Sequence, residues 1–228
     1  MTVTIDPATA AHAVPIAGLK QQVWPRETTD VSQIARVLHD PNHRTHVAVE
    51  DAGRIVGFVD SFSTRRADGC LRWELDLLAV HPACQGQKIG QRLIRAATDA
   101  GFQMGAALAR ALVQIDNRAS QGALQRCGYR RDDRVLQLMV STHSVDSEAV
   151  LPDGAVLIPV TTMNYSGLWL EGAIDALSIQ AAQAVQTRAA VDLVGTLLPS
   201  DSDDLLAQAE ALGFGPVEQF QWWVHPRP

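Results

Sequence analysis

Residues 78–93, which run LAVHPACQGQKIGQRL, decide the fold of this chain. The stretch predicts a strand ending near Pro82, a polar turn, and a helix whose apolar stripe begins at Ile89. A glycine-containing turn into a helix start directs backbone N–H groups outward, and the helix dipole adds positive potential there. With Lys88 the turn is therefore a candidate pyrophosphate site, although such a turn alone is more typical of an ordinary solvated connection.

The strand that leads into this turn carries two acidic side chains. Residues 71–77 alternate between an apolar and a charged face, and Glu74 and Asp76 share the charged face because strand side chains alternate with a period of two. The alternation then breaks into an apolar run at Leu78, Ala79 and Val80, which predicts a bulge or full burial.

The remaining pattern predicts an α/β chain. Helices are expected over residues 12–24, 30–38, 89–101 and 119–127, and strands over 2–5, 45–50, 55–62, 71–80, 109–115 and 135–140. After a polar stretch, strands at 155–161, 191–198 and 217–224 alternate with helices at 173–188 and 203–212. This second part repeats the order of residues 71–140 without a gap, with Gly128-Tyr129 matching Gly213-Phe214, which suggests a half-repeat.

Composition excludes several classes of protein. The 228 residues are 46% hydrophobic and 19% charged, which is typical of a globular chain, and the net charge of −6 argues against nucleic acid. Three widely spaced cysteines suggest neither a disulfide framework nor a metal site. The sequence has no signal-peptide pattern and no apolar stretch long enough for a membrane-spanning helix, so we expect a cytoplasmic protein without a membrane partner.

The chemistry-bearing residues resemble the GNAT superfamily of N-acyltransferases. Residues 78–93 resemble its acyl-CoA signature, and Asn117-Arg118-Ala119, followed by Leu124 and Gly128-Tyr129, resembles its second motif. The resemblance implies a mixed, mostly antiparallel sheet flanked by helices. It covers residues 1–142 well, which predicts a complete domain there, a linker over 143–154, and a degenerate β-α-β-α-β half-domain over 155–228.

The resemblance also implies where acetyl-CoA, as co-substrate, would bind. The strand end would pair its backbone with the pantetheine arm, the turn would hold the pyrophosphate, and the start of the next helix would contact the pantetheine region. The residues are Leu78, Ala79, Val80, Gln85, Gly86, Gln87, Lys88, Ile89, Gly90, Gln91, Asn117 and Ser120. No metal is expected.

Two residues depart from the family pattern. Lys88 replaces a motif glycine; its backbone N–H survives if φ stays negative, and its ammonium group either pairs with phosphate or is solvated. Leu124 occupies the position at which many relatives carry a tyrosine that protonates the leaving thiolate. Cys127 lies one helical turn away and is an alternative acid, although a small buried thiol is the more ordinary interpretation.

The resemblance implies direct attack of a primary amine on the thioester in a ternary complex. Glu74 is the first candidate for the base that receives the amine proton through water, and Asp76 is the second; both also fit a salt-bridged strand face. Trp24 and Glu27 lie where relatives shape the acceptor pocket, and an acidic rim there favours a small cationic amine. The alternative function is a non-catalytic acyl-CoA-binding sensor or interaction protein.

The second half lacks an evident phosphate site. The same correspondence places residues 170–175 on the turn, where Glu171 and Asp175 would repel a pyrophosphate. Aromatic residues crowd the last strand at Phe220, Trp222 and Trp223, and they must be buried. We therefore expect this half to pack its sheet against the first domain or a second chain, and a homodimer through it is a further prediction.

Overall fold

The computed structural model describes residues 2–143 and 148–228, so part of the predicted linker, residues 144–147, lies outside the described residues. The helices are α1 (Ala13–Val23), α2 (Val31–His39), α3 (Ile89–Gln103), α4 (Arg118–Arg126), α5 (Ala176–Ala189) and α6 (Asp203–Ala211). The strands are β1 (Val3–Pro7), β2 (His46–Glu50), β3 (Ile55–Arg65), β4 (Leu71–Val80), β5 (Leu108–Gln114), β6 (Arg130–Arg131), β7 (Leu136–Ser141), β8 (Ala155–Thr161), β9 (Ser166–Gly172), β10 (Leu193–Pro199) and β11 (Gly215–Pro226). Within these residues, no helix is long and apolar enough to span a bilayer.

One sheet runs through both halves of the chain. Its strand order is β1-β2-β3-β4-β5-β11-β7-β10-β9-β8, and β6 pairs with β11 beside this path. Only the β4–β5 and β9–β10 pairs are parallel among the described strands. The mixed, mostly antiparallel sheet with flanking helices is therefore confirmed. The helices and strands expected over residues 2–140 are present in the expected order, with the two-residue β6 added.

The second half repeats the first in both order and pairing. β8 pairs antiparallel with β9 as β3 does with β4, and β9 pairs parallel with β10 as β4 does with β5. The correspondence that matches Gly128 to Gly213 also matches the first residue of β5 to that of β10, and the first residue of α4 to that of α6. The predicted correspondence therefore holds from β5 onward; the division of the chain into a complete and a partial domain stays a prediction.

The sequence pattern missed β9. The expected counterpart of the polar turn included residues 170–172, but these residues form the end of β9, and Glu171 is a strand residue. Gly167 and Gly172 bound a short apolar run, which weakens the strand signal. Gly167 is required by a close approach, because a Cβ atom there would lie 2.8 Å from the carbonyl oxygen of Leu193.

The two halves exchange their last strands. β11 lies between β5 and β7, and β7 lies between β11 and β10, so the final strand of each half pairs with the parallel-paired strand of the other half. Trp223 of β11 is buried in the first hydrophobic core. The aromatic crowding of this strand is thus accommodated within one chain, and the homodimer stays a prediction.

Separate halves are expected not to fold, because residues 1–142 alone leave one edge of β5 unpaired and leave β7 without either of its partner strands, β11 and β10. Fragments 1–142 and 155–228 should each be aggregated or unfolded when expressed alone, and they should form a 1:1 complex when co-expressed. Size-exclusion chromatography and circular dichroism measure this. A soluble monomeric 1–142 fragment with cooperative unfolding would show that the halves are independent.

Candidate active site

β4 and β5 separate where the acidic strand face ends. Their parallel pairing runs from Arg72–Leu108 to Leu75–Ala111 and stops there. Residues 76–80 continue β4 beyond the last paired residue, so their backbone groups on this side are available to a ligand. The register with β3 also shifts here, because Asp60 faces both Asp76 and Leu77. The predicted bulge is present, two residues earlier than the break in alternation.

The turn after β4 is built to present its backbone. Pro82–Cys84 form a 3-10 turn capped by His81, whose Nδ1 accepts from the Ala83 N–H at 3.2 Å. The exposed residues 85–88 then lead into α3, which is anchored by the buried Ile89. Gly86 has φ = +77°, and Lys88, at the helix N-cap, has φ = +63°. The sequence predicts that the backbone N–H of Lys88 replaces that of the motif glycine if φ is negative. The observed φ is positive, so this condition is not met.

Lys88 occupies a backbone conformation that favours glycine. Two substitutions can therefore distinguish the energetic cost of this conformation from the contribution of the lysine charge. Lys88→Gly should raise the free energy of unfolding by about 1 kcal/mol and weaken CoA binding several-fold if the ammonium pairs with phosphate. Lys88→Gln, which keeps the strained backbone and removes the charge, is the matched control and should weaken binding without stabilising the chain. Thermal unfolding and calorimetric titration with CoA measure both effects. Unchanged CoA affinity in both variants would show that the ammonium group of Lys88 is solvated and does not pair with phosphate.

The start of α4 faces the same gap. Asn117 caps this helix, and its Oδ1 accepts from the Ser120 N–H at 3.0 Å, which leaves the Asn117 amide N–H groups to donate. Asn117, Ser120 and Leu124 all line the main cavity. The thiol of Cys127 donates to the Gln91 carbonyl at 3.4 Å, and burial raises its pKa, so Cys127 is a poor proton donor to a thiolate.

A cavity of about 830 Å³ extends from this gap across the sheet, a volume in the range of ligand pockets. Trp24, Glu27, Glu74 and Asp76, the predicted catalytic and acceptor-site residues, all line it together with Leu78. The structure therefore brings together the predicted catalytic and acceptor-site residues, Leu78 of the strand end, and Asn117 and Ser120 of α4 around one space, whereas Ala79, Val80 and residues 85–91 are not among the residues that line it. The turn at residues 85–90 lies at the exposed start of α3.

Glu74 is held in a buried ion-pair network. Its carboxylate accepts from Arg110 Nε at 2.8 Å and from the hydroxyl of Thr64. Arg110 Nη2 also donates to Glu171 of β9 at 2.6 Å, and Arg72 Nη1 donates to Glu171 at 2.7 Å. Two arginines thus pair with two carboxylates, and the Glu74 carboxylate is occupied as a hydrogen-bond acceptor within this network.

Asp76 has the opposite surroundings. Its Oδ2 atom is buried and has no hydrogen-bond partner within the described part of the chain. Burial, and after it repulsion from Asp60, raises the pKa of Asp76 to about 7. A base with a pKa near the working pH is ionised and yet binds a proton strongly enough to transfer it. Of the two predicted carboxylates, the geometry favours Asp76.

A buried polar cluster lies behind Asp76. Asp60 accepts from Thr45 Oγ1 at 2.7 Å and contacts His43 Nδ1 at 3.1 Å. Burial opposes protonation of His43, but the hydrogen bond and charge of Asp60 raise its pKa overall. Lys20 is fully buried, and burial lowers its pKa against the charges of Glu27 and Asp76. These fixed charges surround the carboxyl of Asp76 and tune its pKa.

The second half closes the cavity, which the sequence pattern did not predict. The tip of the β8–β9 hairpin, residues 162–165, packs on α1 and α2: Gln33 Nε2 donates to the Thr162 carbonyl at 2.8 Å, Lys20 donates to Asn164 Oδ1, and Met163 is buried. Tyr165 and Trp169 of this hairpin line the cavity. In the sequence, the signal for these residues is a pair of aromatic side chains four positions apart. The sequence alone does not place this pair at the site, because its position depends on the pairing of β9 with β8.

The comparisons identify the family. The family model described as the Acetyltransferase (GNAT) family matches residues 15–129, just over half of the chain, and the chain belongs to this family. No curated protein matches the sequence significantly.

Solved structures show the fold over the whole length. A tandem GNAT protein from the clavulanic acid biosynthesis pathway is 15% identical with a TM-score of 0.59, over 100% of this chain and 99% of that one. The glucosamine N-acetyltransferase region of a fungal β-N-acetylglucosaminidase is 13% identical with a TM-score of 0.65, over 98% of this chain; the chain spans only 38% of that protein. The aminoglycoside N-acetyltransferase AAC(6')-Iy, in complex with CoA, is 22% identical with a TM-score of 0.53, over 58% of this chain and 91% of that one.

Proposed function

We propose that the protein is an acetyl-CoA-dependent N-acetyltransferase that acts on a small primary amine. The observation that carries the proposal is the separation of β4 from β5 with Asp76 at its apex, on a cavity that reaches from the start of α4 to Trp24. Family membership and a neighbour solved with CoA support the same co-substrate.

In the proposed reaction, residues 78–80 pair their backbone with the pantetheine arm, and the turn at residues 85–90, with Gln91, holds the pyrophosphate. Asn117 and Ser120 contact the arm from α4. The backbone N–H near Leu78 polarises the thioester carbonyl, as an oxyanion-hole donor does.

The chemistry is a direct transfer in a ternary complex. Asp76 receives a proton from the ammonium group of the acceptor through water, and the neutral amine attacks the thioester carbon. The C–N bond forms and the nitrogen releases its second proton to solvent, the C–S bond breaks, and CoA leaves as a thiolate, which takes its proton from solvent. Because free thiols have a pKa of about 8.5, loss of the tyrosine acid at Leu124 does not prevent this departure.

The second candidate function is acyl-CoA binding without catalysis, which Leu124 favours because its buried side chain supplies no acid. A CoA-release assay over a panel of amines, with calorimetric titration of acetyl-CoA, tests both. Turnover of at least one amine supports the enzyme. Acetyl-CoA binding without turnover of any amine supports the alternative, and absence of binding excludes both.

A further inference from the structure

The acceptor side of the cavity is walled by the second half of the chain. The sheet curls until β8 packs on β3 through Phe62, Ile158 and Val160, and the ring of Trp169 lies 5.7 Å from the ring of Phe62. Residues of β9, β10 and β11 line the space together with residues of β4 and β5. A molecule that reaches Asp76 from this side therefore contacts side chains of the second half.

The charges on these walls are almost fully compensated. Glu74 and Glu171 are neutralised by Arg72 and Arg110 within the ion-pair network. Arg134, at the rim, pairs with Asp132 at 2.6 Å. Among the described residues that line the cavity, the carboxylates without an arginine partner are Glu27 and Asp76, and the buried Lys20 lies close to both. The space is suited to one positive charge.

The rest of the wall is uncharged and largely aromatic and aliphatic, although it includes polar residues such as Gln114, Asn164 and Thr196. The half-buried rings of Trp24, Tyr165, Trp169 and Trp222 line the cavity, and Arg110 covers one face of Trp222 at 3.9 Å. The hydroxyl oxygen of Tyr165 accepts from Trp169 Nε1 at 2.9 Å, which fixes both rings. Leucines at positions 138, 193 and 197 complete the surface. Such walls bind an apolar body and a nearby ammonium group through ring faces.

We infer that the acceptor is a small amine with a single positive charge on an apolar, preferentially aromatic, body. This inference rests on the proposed acetyl transfer and specifies its substrate class. The ammonium group lies at Asp76 and the body lies against Trp169 and Trp222. A polycation such as an aminoglycoside or a polyamine would bring further ammonium groups beside Arg72 and Arg110 or into apolar surroundings, where an unpaired charge is costly.

The kinetic test compares amines of different charge and polarity. CoA release is measured with 2-phenylethylamine, tryptamine, hexylamine, glucosamine, spermidine and kanamycin as acceptors. We expect kcat/KM for the arylalkylamines to exceed that for kanamycin and spermidine by at least 100-fold. Equal or greater kcat/KM for either polycation would overturn the inference.

Variants of the wall locate the binding site. Trp169→Ala should raise KM for 2-phenylethylamine by about 10-fold or more with a smaller change in kcat, and Trp169→Phe, which keeps a ring, should restore most of the loss. Trp223→Phe, on the same strand as Trp222 but buried in the first hydrophobic core, is the control for general damage to the sheet. A Trp169→Ala protein that folds and keeps the wild-type KM would also overturn the inference.

A binding measurement separates this inference from the proposed reaction. Tryptophan fluorescence and calorimetry of the CoA-saturated protein report amine binding without turnover. Saturable binding of 2-phenylethylamine that Trp169→Ala weakens supports the substrate class even if no acetyl transfer occurs, in which case the proposed reaction alone fails. Tighter binding of kanamycin or spermidine, or no binding of any amine, rejects the substrate class.

Discussion

Asp76→Asn is expected to lower kcat/KM for amine acetylation by at least about 100-fold, the usual contribution of a positioned base. The carboxyl of Asp76 must be ionised to receive the amine proton, and its pKa is raised to about 7. The kcat/KM of the wild-type protein should therefore fall about tenfold per pH unit below pH 7. In the variant this acidic limb should disappear, because an amide does not titrate there. Initial rates from pH 5.5 to 9 measure it.

Glu74→Gln is the matched comparison, since it makes the same chemical change two residues away. It should leave the acidic limb in place, because Glu74 is committed to Arg110. Loss of the limb in Glu74→Gln, with its retention in Asp76→Asn, would transfer the role of base to Glu74.

The same Asp76→Asn substitution should stabilise the folded chain at high pH. An unfolded aspartate has a pKa of about 3.9, whereas the folded pKa is about 7. Between these values the folded state binds the extra proton, so the contribution of Asp76 to wild-type stability declines as the pH rises from about 4 to 7 and then levels off. Asn removes this decline, and the variant should be more stable by roughly 2–4 kcal/mol at pH 8 and nearly equal at pH 4. Denaturant unfolding at both pH values tests the sign.

Arg110→Met is expected to lower the free energy of unfolding by about 3–5 kcal/mol at pH 7, because it leaves the buried Glu74 and the half-buried Glu171 short of a cation. Glu74 and Glu171 would lose bonds of 2.8 and 2.6 Å, respectively, and Trp222 would lose the guanidinium over its ring. Chemical denaturation followed by circular dichroism measures the loss. A change below about 1 kcal/mol would show that the network is solvated.

Arg134→Met supplies the control, because Arg134 forms a comparably short pair with Asp132 but is 74% exposed. Exposed pairs contribute about 0–1 kcal/mol, so this variant should be nearly neutral.

The effect of Arg110→Met should also depend on pH. Arg110 and Arg72 hold the pKa of Glu171 below its usual value despite burial, so the network stabilises the chain above about pH 4 and its contribution is lost as the pH falls through the folded pKa. The two proteins should therefore converge in acid.

Local patterns were sufficient to predict the first half of the fold. Alternation over residues 71–77, the helical stripe after Ile89 and the helix pattern over residues 30–38 are short-range signals, and the structure contains each element. Asp30 caps the second helix and accepts from the Ser32 N–H at 2.8 Å. The candidate cofactor-binding residues on β4 and α4 came from the family resemblance. The strand period predicted only that Glu74 and Asp76 share a face.

Long-range pairing was beyond these patterns. The position of β11 between β5 and β7 depends on partners that are distant along the chain, such as Leu112 for Trp222 and Leu136 for Phe220, and no local periodicity encodes such a choice. For the same reason Tyr165, Trp169 and Glu171 were not predicted to reach the cavity. The preference for Asp76 over Glu74 also required structure, because the two carboxylates share one strand face and only their neighbours differ.

The exchanged strands also have a consequence for synthesis on the ribosome. β11 follows all the other described strands along the chain, yet its place is in the middle of the sheet. Until β11 emerges from the exit tunnel, the nascent chain exposes the edges of β5 and β7 that β11 later joins. We therefore expect the emergence of β11, rather than local helix formation, to limit productive folding in the cell, with a correspondingly strong dependence on chaperones that shield strand edges.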